Sequence, residues 1–238
     1  MVLRAPIDHP AGAEKVSWRP WALSFRAMIE TSRRSVCIVI NGPSAVGKST
    51  LVTRIQDQSP TPLLRFGVDE FYRTVPAEWA GGKRDAKYRD AGFSYQDVRG
   101  ADGQVHRMIV NGSDARHMLM GMNGAIRGLL ESGNHVIVDG EAYVSEIHED
   151  LHQSLTLAQK AGTAEVSVIS LTCGPDDILE RQDRHSRPVG ISLGQLAEGP
   201  LCSQPDLLLD TSDTSADVVF STVWGWLVAR HPALTPRP

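Results

Sequence analysis

Residues 42–49 read Gly42-Pro43-Ser44-Ala45-Val46-Gly47-Lys48-Ser49, the pattern G-x-x-x-x-G-K-[ST] that wraps the phosphates of a nucleotide. Before it, Val36-Cys37-Ile38-Val39-Ile40-Asn41 is a short apolar run rich in β-branched side chains, and after it Leu51-Val52-Thr53-Arg54-Ile55 reads as a helix. The motif therefore sits at a strand-to-helix junction, the context its chemistry needs. Glycines at both ends let the backbone curl so that successive N–H groups point at phosphate oxygens, and the positive end of the helix dipole adds to them. Lys48 supplies a mobile charge and Ser49 a hydroxyl for Mg²⁺. The cradle expected for the nucleotide is Gly42, Pro43, Ser44, Ala45, Val46, Gly47, Lys48, Ser49 and Thr50.

A chain of 238 residues with 41% hydrophobic content can bury one substantial core with a small appended segment. Its net charge of −4 provides no basic field, so neither nucleic acid nor an anionic membrane is an expected partner. Cys37, Cys173 and Cys202 lack C-x-x-C spacing, which fits reduced, buried thiols rather than a disulfide framework or a zinc site. With no signal-like N-terminus and no apolar run of membrane-spanning length, a cytoplasmic location is expected.

Four more strands follow from the hydrophobic pattern, over 62–68, 135–139, 165–171 and 206–210. Helical stretches lie between them at roughly 113–131, 145–161, 175–184 and 215–229. Alternating β/α order with near-continuous apolar strands predicts an α/β fold whose parallel sheet is covered on both faces. Ligands bind such sheets at the carboxyl ends of the strands, so Gly42 onward, Asp69 and Asp139 should converge. Residues 1–34 read as an N-terminal extension and 35–238 as the main domain. Residues 74–112, long, Gly-rich and charged, with Trp79, Tyr88, Phe93 and Tyr95 interspersed, read as a lid or binding insertion.

Asp69 follows the second strand directly and can accept the proton of an attacking hydroxyl; capping the next helix is its alternative role. Asp139 ends the third strand, where an acidic residue holds Mg²⁺ directly or through water. Glu141 and Tyr143 follow at the same rim, open between the metal shell, the substrate and a solvated turn. Arg181, Arg184 and Arg187 recur at intervals of three and enter a Pro- and Gly-containing segment. There they form either a mobile lid that neutralises a transferring phosphoryl group or a solvated basic face.

Taken together these residues resemble the chloramphenicol phosphotransferase family from about Val36 to Leu227. Asn41 to Ser49 is similar to the family's N-G-G-S-S-A-G-K-S with Pro43 in place of a glycine, and Phe66-Gly67-Val68-Asp69 to its F-G-V-D. Gly112, Arg116 and Gly121 follow its G-x-x-x-R-x-x-x-x-G helix, and Arg184, Arg187 and Gly190 its lid. The resemblance implies a P-loop NTPase of nucleoside-monophosphate-kinase-like α/β/α form, with a five-stranded parallel sheet, an inserted substrate-binding segment at 74–112 and a small lid at 181–199. It implies ATP and Mg²⁺ as cofactors, Asp69 as base, and Asp69, Arg116, Glu141 and Tyr143 near the substrate. Catalysis would fall to Asp69, Lys48, Arg184 and Arg187, and the metal to Ser49 and Asp139.

The activity so implied is ATP-dependent O-phosphorylation of an antibiotic or related secondary metabolite. The expected partner is a hydroxylated small molecule, with a homo-oligomer left open. The sequence departs from the family at Gly140, which separates two acidic residues that the family has adjacent. Lys83, Arg84, Lys87 and Arg89 suggest a bulkier or anionic acceptor. Two other readings stay open: a zeta-toxin-like kinase of nucleotide sugars, and a nucleotide-binding switch, against which the chain has no N-K-x-D run.

Overall fold

The structure is a computed structural model that describes residues 34–80, 86–100, 103–184, 190–199 and 204–235, the side chains of Asp183 and Arg184 excepted. The expected extension over residues 1–34 lies outside it but for Arg34. A five-stranded sheet forms the centre, with strands β1 (Ser35–Asn41), β2 (Leu63–Phe66), β5 (His135–Asp139), β6 (Ala164–Thr172) and β7 (Leu207–Asp210) in the order β2-β5-β1-β6-β7. Every pairing in it is parallel. These are the five strands read from the sequence.

Strand β1 is buried along its whole length, and its alternate residues feed two separate cores because side chains alternate across a strand. Cys37 and Val39 face a layer made by α3 (Ser113–Glu131) and α4 (Ser145–Lys160), through Leu119, Met122, Ile126, Ile147, Leu151 and Leu155. Val36, Ile38 and Ile40 face α1 (Lys48–Gln58), α5 (Pro175–Arg184) and α7 (Ala216–Arg230), through Leu51, Val52, Ile55, Ile178, Val223 and Leu227. Full burial pushes the Cys37 thiol up to about 12, with the Glu141 carboxylate adding to the effect, so it is an inert core group. No helix among the described residues is long and apolar enough to cross a membrane.

The helix expected after the second strand is α2 (Val68–Tyr72). Two further features were not read from the sequence. The insertion folds into an antiparallel hairpin, β3 (Phe93–Arg99) with β4 (Val105–Asn111). Helix α6 (Ile191–Glu198) lies within the expected lid segment, just beyond residues 185–189, which are not described. It sits directly on β4: the Arg107 N–H donates to the Gly190 carbonyl at 2.9 Å. Cβ atoms added at Gly190 or Gly194 would run into the Val105 or Arg107 carbonyl oxygens. Gly190 also has φ of +87°, a conformation that side chains disfavour.

Candidate active site

The loop after β1 owes its curvature to residues in the left-handed region, Gly42 at φ +140°, Ala45 at +67° and Gly47 at +106°. Gly42 has a second reason to lack a side chain, because a Cβ there would collide with the Leu171 carbonyl oxygen of β6. Such a curl turns successive N–H groups to the concave side and makes an anion nest at the start of α1. Lys48 Nζ donates to the carbonyls of Gly42 and Pro43, each at 2.8 Å. The Ser44 N–H donates to Gln195 Oε1 of α6 at 2.6 Å.

That contact places a neutral side-chain oxygen on a loop amide of the kind a phosphate oxygen would take. A nucleotide phosphate bound at this loop would compete with Gln195 for it. Removing the competitor, Gln195→Ala, should tighten nucleotide binding several-fold, since one such hydrogen bond is worth about 0.5–1.5 kcal/mol. Calorimetric titration with a non-hydrolysable ATP analogue measures this, and weaker binding would make Gln195 a nucleotide ligand instead.

The loop borders a cavity of about 590 Å³, a size suited to a small-molecule ligand. Gly42, Ser44, Ala45, Gly47, Lys48, Ser49 and Thr50 form one wall. Asp69, Asp139, Glu141 and Tyr143 line it as well, so the phosphate loop with the start of α1, helix α2, the end of β5 and the segment after it deliver the expected residues to one place. Asp69 does not cap a helix: Gly67 holds the N-cap position of α2 with no side-chain cap, and Asp69 sits in the first turn, open to the cavity.

Asp139 is buried and ion-paired through Oδ2 to Arg65, which also reaches Glu70 Oε1 at 3.1 Å. Its Oδ1 is buried without a hydrogen-bond partner. An orphaned carboxylate oxygen costs about 1–3 kcal/mol, and a metal ion or its bound water would satisfy it. With the Ser49 hydroxyl on the same cavity, the donors are hard oxygens, the set that suits Mg²⁺.

Glu141 is held more tightly than a solvated turn would hold it. Asn41 Nδ2 donates to its Oε2, and His152 Nε2 lies 3.0 Å from Oε1. Burial works against its charge, yet the imidazoles of His148 and His152 with the Asn41 amide hold the carboxyl down to about 2. Tyr143 faces the cavity, its phenol pushed up by burial and by the carboxylates of Glu198 and Glu141.

The cavity is further lined by Tyr72, Tyr95, Ile109 and Asn111, with Ile191 and Gln195 one helical turn apart on α6. Burial raises the phenols of both Tyr72 and Tyr95, helped at Tyr72 by the neighbouring Tyr95 and then by the Asp69 charge, and at Tyr95 by the Asp69 charge against an opposing Arg107, so they remain neutral donors beside that carboxylate. A smaller cavity of about 200 Å³ shares Tyr72, Tyr95 and Ile109 with the main cavity and adds Arg73, Ala80, Phe93 and Ser94. Of the insertion's aromatics, Trp79 and Tyr88 stack on each other at 4.1 Å and Phe93 is 3% exposed in the core, leaving Tyr95 for the main cavity.

Several sequence-predicted residues lie elsewhere. Arg116 does not line the cavity: its Nη1 pairs with Glu146 and its Nε donates to the Asn111 carbonyl at 3.1 Å, so it braces α3 against α4 and β4. Lys87 lies 4.7 Å from the Tyr88 ring centroid and Arg89 pairs with Asp90, both away from the cavity. Lys83, Arg84, Arg187 and the Arg184 side chain are outside the described residues. Lys48 is thus the one lysine or arginine among the described residues that line this cavity, facing Asp69, Asp139 and Glu141.

Behind the loop lies a second cavity, of about 480 Å³, bordered by Ala45, Gly47, Thr50, Arg54, Arg181, Thr211, Asp213 and Thr214. Arg181 ties its floor together by donating to Thr211 O at 2.6 Å and Thr211 Oγ1 at 3.0 Å. The sequence signal for this side is the polar run 210–215 after β7.

Among solved structures, the chain is similar to the tunicamycin resistance protein of Deinococcus radiodurans, with TM-score 0.52 and 19% identity over 86% of this chain and 100% of that one. A sugar kinase from Janibacter sp. HTCC2649 gives TM-score 0.53 and 17% identity over 86% and 100%. The Mycobacterium tuberculosis APS kinase CysC in complex with AMPPNP and APS gives 0.52 and 16% over 83% and 99%. At such identities the likeness concerns the fold, that of a P-loop kinase. Comparison with curated proteins by sequence gives no match. The sequence pattern of the chloramphenicol phosphotransferase-like protein family matches residues 35–223, and the chain belongs to that family.

Proposed function

We propose that the protein is an ATP-dependent kinase that transfers a phosphoryl group to a hydroxyl of an uncharged, antibiotic-like small molecule. One observation carries the reading: Lys48 and Ser49 of the phosphate loop and the Asp69 carboxylate border the same cavity, which is also lined by neutral phenols, two side-chain amides and two isoleucines. The family membership supports phosphotransfer. The resistance protein among the structural neighbours is in keeping with an antibiotic acceptor.

MgATP, when bound, supplies the electrophilic γ-phosphoryl group and a cation that neutralises its oxygens. The loop amides and Lys48 orient the phosphates, and Ser49 and Asp139 would hold the Mg²⁺. The cavity behind the loop takes the nucleoside. Asp69 accepts the proton of the acceptor hydroxyl as that oxygen attacks, so the carboxylate must be ionised and within reach of the cavity. Tyr72, Tyr95, Tyr143 and Asn111 offer hydrogen bonds to a polar but neutral acceptor. Apart from Lys48, the described residues lining the main cavity include no lysine or arginine, which favours a neutral acceptor over the anionic one suggested by the charges of the insertion. Arg184 and Arg187 complete the charge balance on transfer.

Incubating the protein with ATP, Mg²⁺ and a panel of hydroxylated antibiotics tests this. Phosphorylation of at least one neutral member is expected, with loss of its antibacterial action. Tight nucleotide binding with no acceptor modified across neutral and anionic members alike would overturn the proposal.

A further inference from the structure

Beside the phosphate loop, three donors from two elements converge. Glu141 lies just past β5, while His148 and His152 stand one turn apart on α4, on one face, with ring centroids 4.2 Å apart. His152 Nε2 is 3.0 Å from Glu141 Oε1, and His148 Nδ1 is 3.3 Å from the same oxygen. The carboxylate, Nδ1 and Nε2 donor atoms all lie within 4.8 Å of one another. The Glu141 side chain is 2% exposed and the imidazoles 15% and 23%.

Two details separate this cluster from an ordinary charged network. His148 Nδ1 is buried and makes no hydrogen bond, although a carboxylate oxygen is 3.3 Å away. A donor and an acceptor that pair would be aligned; two ligands of a shared third atom need not be. The second detail is that Asn41 Nδ2 donates to the far carboxylate oxygen, Oε2, the kind of outer contact that orients a ligating carboxylate. Ions with bonds of about 2.0–2.2 Å to nitrogen and oxygen in tetrahedral array space their donors by roughly 3.3 Å. The distances of His152 Nε2 and His148 Nδ1 to Oε1, 3.0 and 3.3 Å, lie close to that spacing, and small imidazole rotations would complete it.

We propose that Glu141, His148 and His152 form a binding site for a zinc-class divalent ion, held by one carboxylate oxygen and two imidazole nitrogens with a fourth position for water. Two nitrogen donors are wrong for Mg²⁺, which takes oxygens, and right for Zn²⁺ or Co²⁺. The site is thus chemically distinct from the Ser49 and Asp139 oxygens, and it does not rest on the kinase reading. An ion there joins the end of β5 to α4 and, through Asn41, to the end of β1, and fixes a carboxylate that lines the cavity.

The test is Co²⁺ titration of tag-free, metal-stripped protein. One equivalent should bind with the visible absorption of low-coordinate cobalt, Zn²⁺ should displace it, and Mg²⁺ should not. X-ray absorption of the zinc-loaded wild-type chain should show imidazole ligands, an outcome that needs no variant. Glu141→Gln and the double variant His148→Ala with His152→Ala, each checked for folding by circular dichroism, should abolish the cobalt spectrum. Asn41→Ala should weaken binding about 10–100-fold, while His106→Ala and His117→Ala should leave it unchanged. Absence of a cobalt spectrum in the wild type, all-oxygen coordination of its zinc, or an unchanged spectrum in a folded variant lacking the ligands would overturn the proposal.

Discussion

Asp69→Asn keeps nucleotide affinity and lowers phosphoryl transfer about 10²–10⁴-fold, the usual contribution of a general base. The variant preserves size and shape, and Asp69 makes no helix cap that the change would break, since Gly67 occupies that position without a side-chain cap. What is lost is the carboxylate that faces the cavity with Tyr72 and Tyr95 beside it. The amide cannot take the hydroxyl proton, and its NH₂ group would present a donor where the acceptor oxygen needs an acceptor. Steady-state kinetics with saturating ATP, paired with calorimetric titration of an ATP analogue, separates the effects. A turnover within a few-fold of wild type would remove Asp69 from the role of base.

Lys48→Ala weakens both steps. Its ammonium is the one lysine or arginine charge among the described residues lining the cavity, against three carboxylates of which Asp139 alone pairs with an arginine. Lys48 Nζ donates to the Gly42 and Pro43 carbonyls, which holds its ammonium at the phosphate loop. A hydrogen bond to a charged group is worth about 1.5–3 kcal/mol, which corresponds to roughly 10–100-fold in nucleotide affinity at 1.4 kcal/mol per decade. A further loss of about 10²–10³-fold in turnover is expected, the cost of deleting one preorganised donor to developing charge. Lys48→Arg should not rescue it, because a planar fork replaces a compact point charge. Nucleotide titration and single-turnover transfer check both; undiminished affinity in Lys48→Ala would mean that phosphates do not bind at this loop.

The parts of this molecule that were legible in the sequence are those whose physics is local. Strands β1, β5 and β6 lie inside the sheet, so Val36–Ile40 and Val136–Val138 appear as continuous apolar runs and Val166–Leu171 as an apolar run broken only by Ser167 and Ser170. The phosphate loop declares itself because its glycines, lysine and serine are contiguous, and Asp69 and Asp139 because strand ends of a parallel sheet share one edge. The hairpin β3–β4 did not declare itself. Its strands, from Phe93 to Arg99 and from Val105 to Asn111, mix polar and charged residues and are largely solvent-facing, with burial only at Phe93 and Asn111.

Side-chain partners were less legible still. Gln195 reaches Ser44 across 151 positions of sequence, and nothing local marks it except its place one turn after Ile191. Arg116 carried a role from resemblance, yet Glu146, brought alongside by the packing of α3 on α4, takes its guanidinium. Lys87 and Arg89 show the same limit: their charge read as a demand of the acceptor, and the fold sets them beside Tyr88 and Asp90 rather than in the lining of the main cavity.

The most direct measurement of the central claim follows the phosphoryl group itself. ATP labelled with oxygen-18 in its γ-phosphoryl is mixed with wild-type protein, Mg²⁺ and a neutral hydroxylated antibiotic, and the products are resolved by mass spectrometry. The labelled phosphoryl should appear on the antibiotic, with the acceptor hydroxyl oxygen retained as the bridging atom and no such product from Asp69→Asn. Label found solely in inorganic phosphate across the panel, with nucleotide bound at the Lys48 loop, would contradict the account.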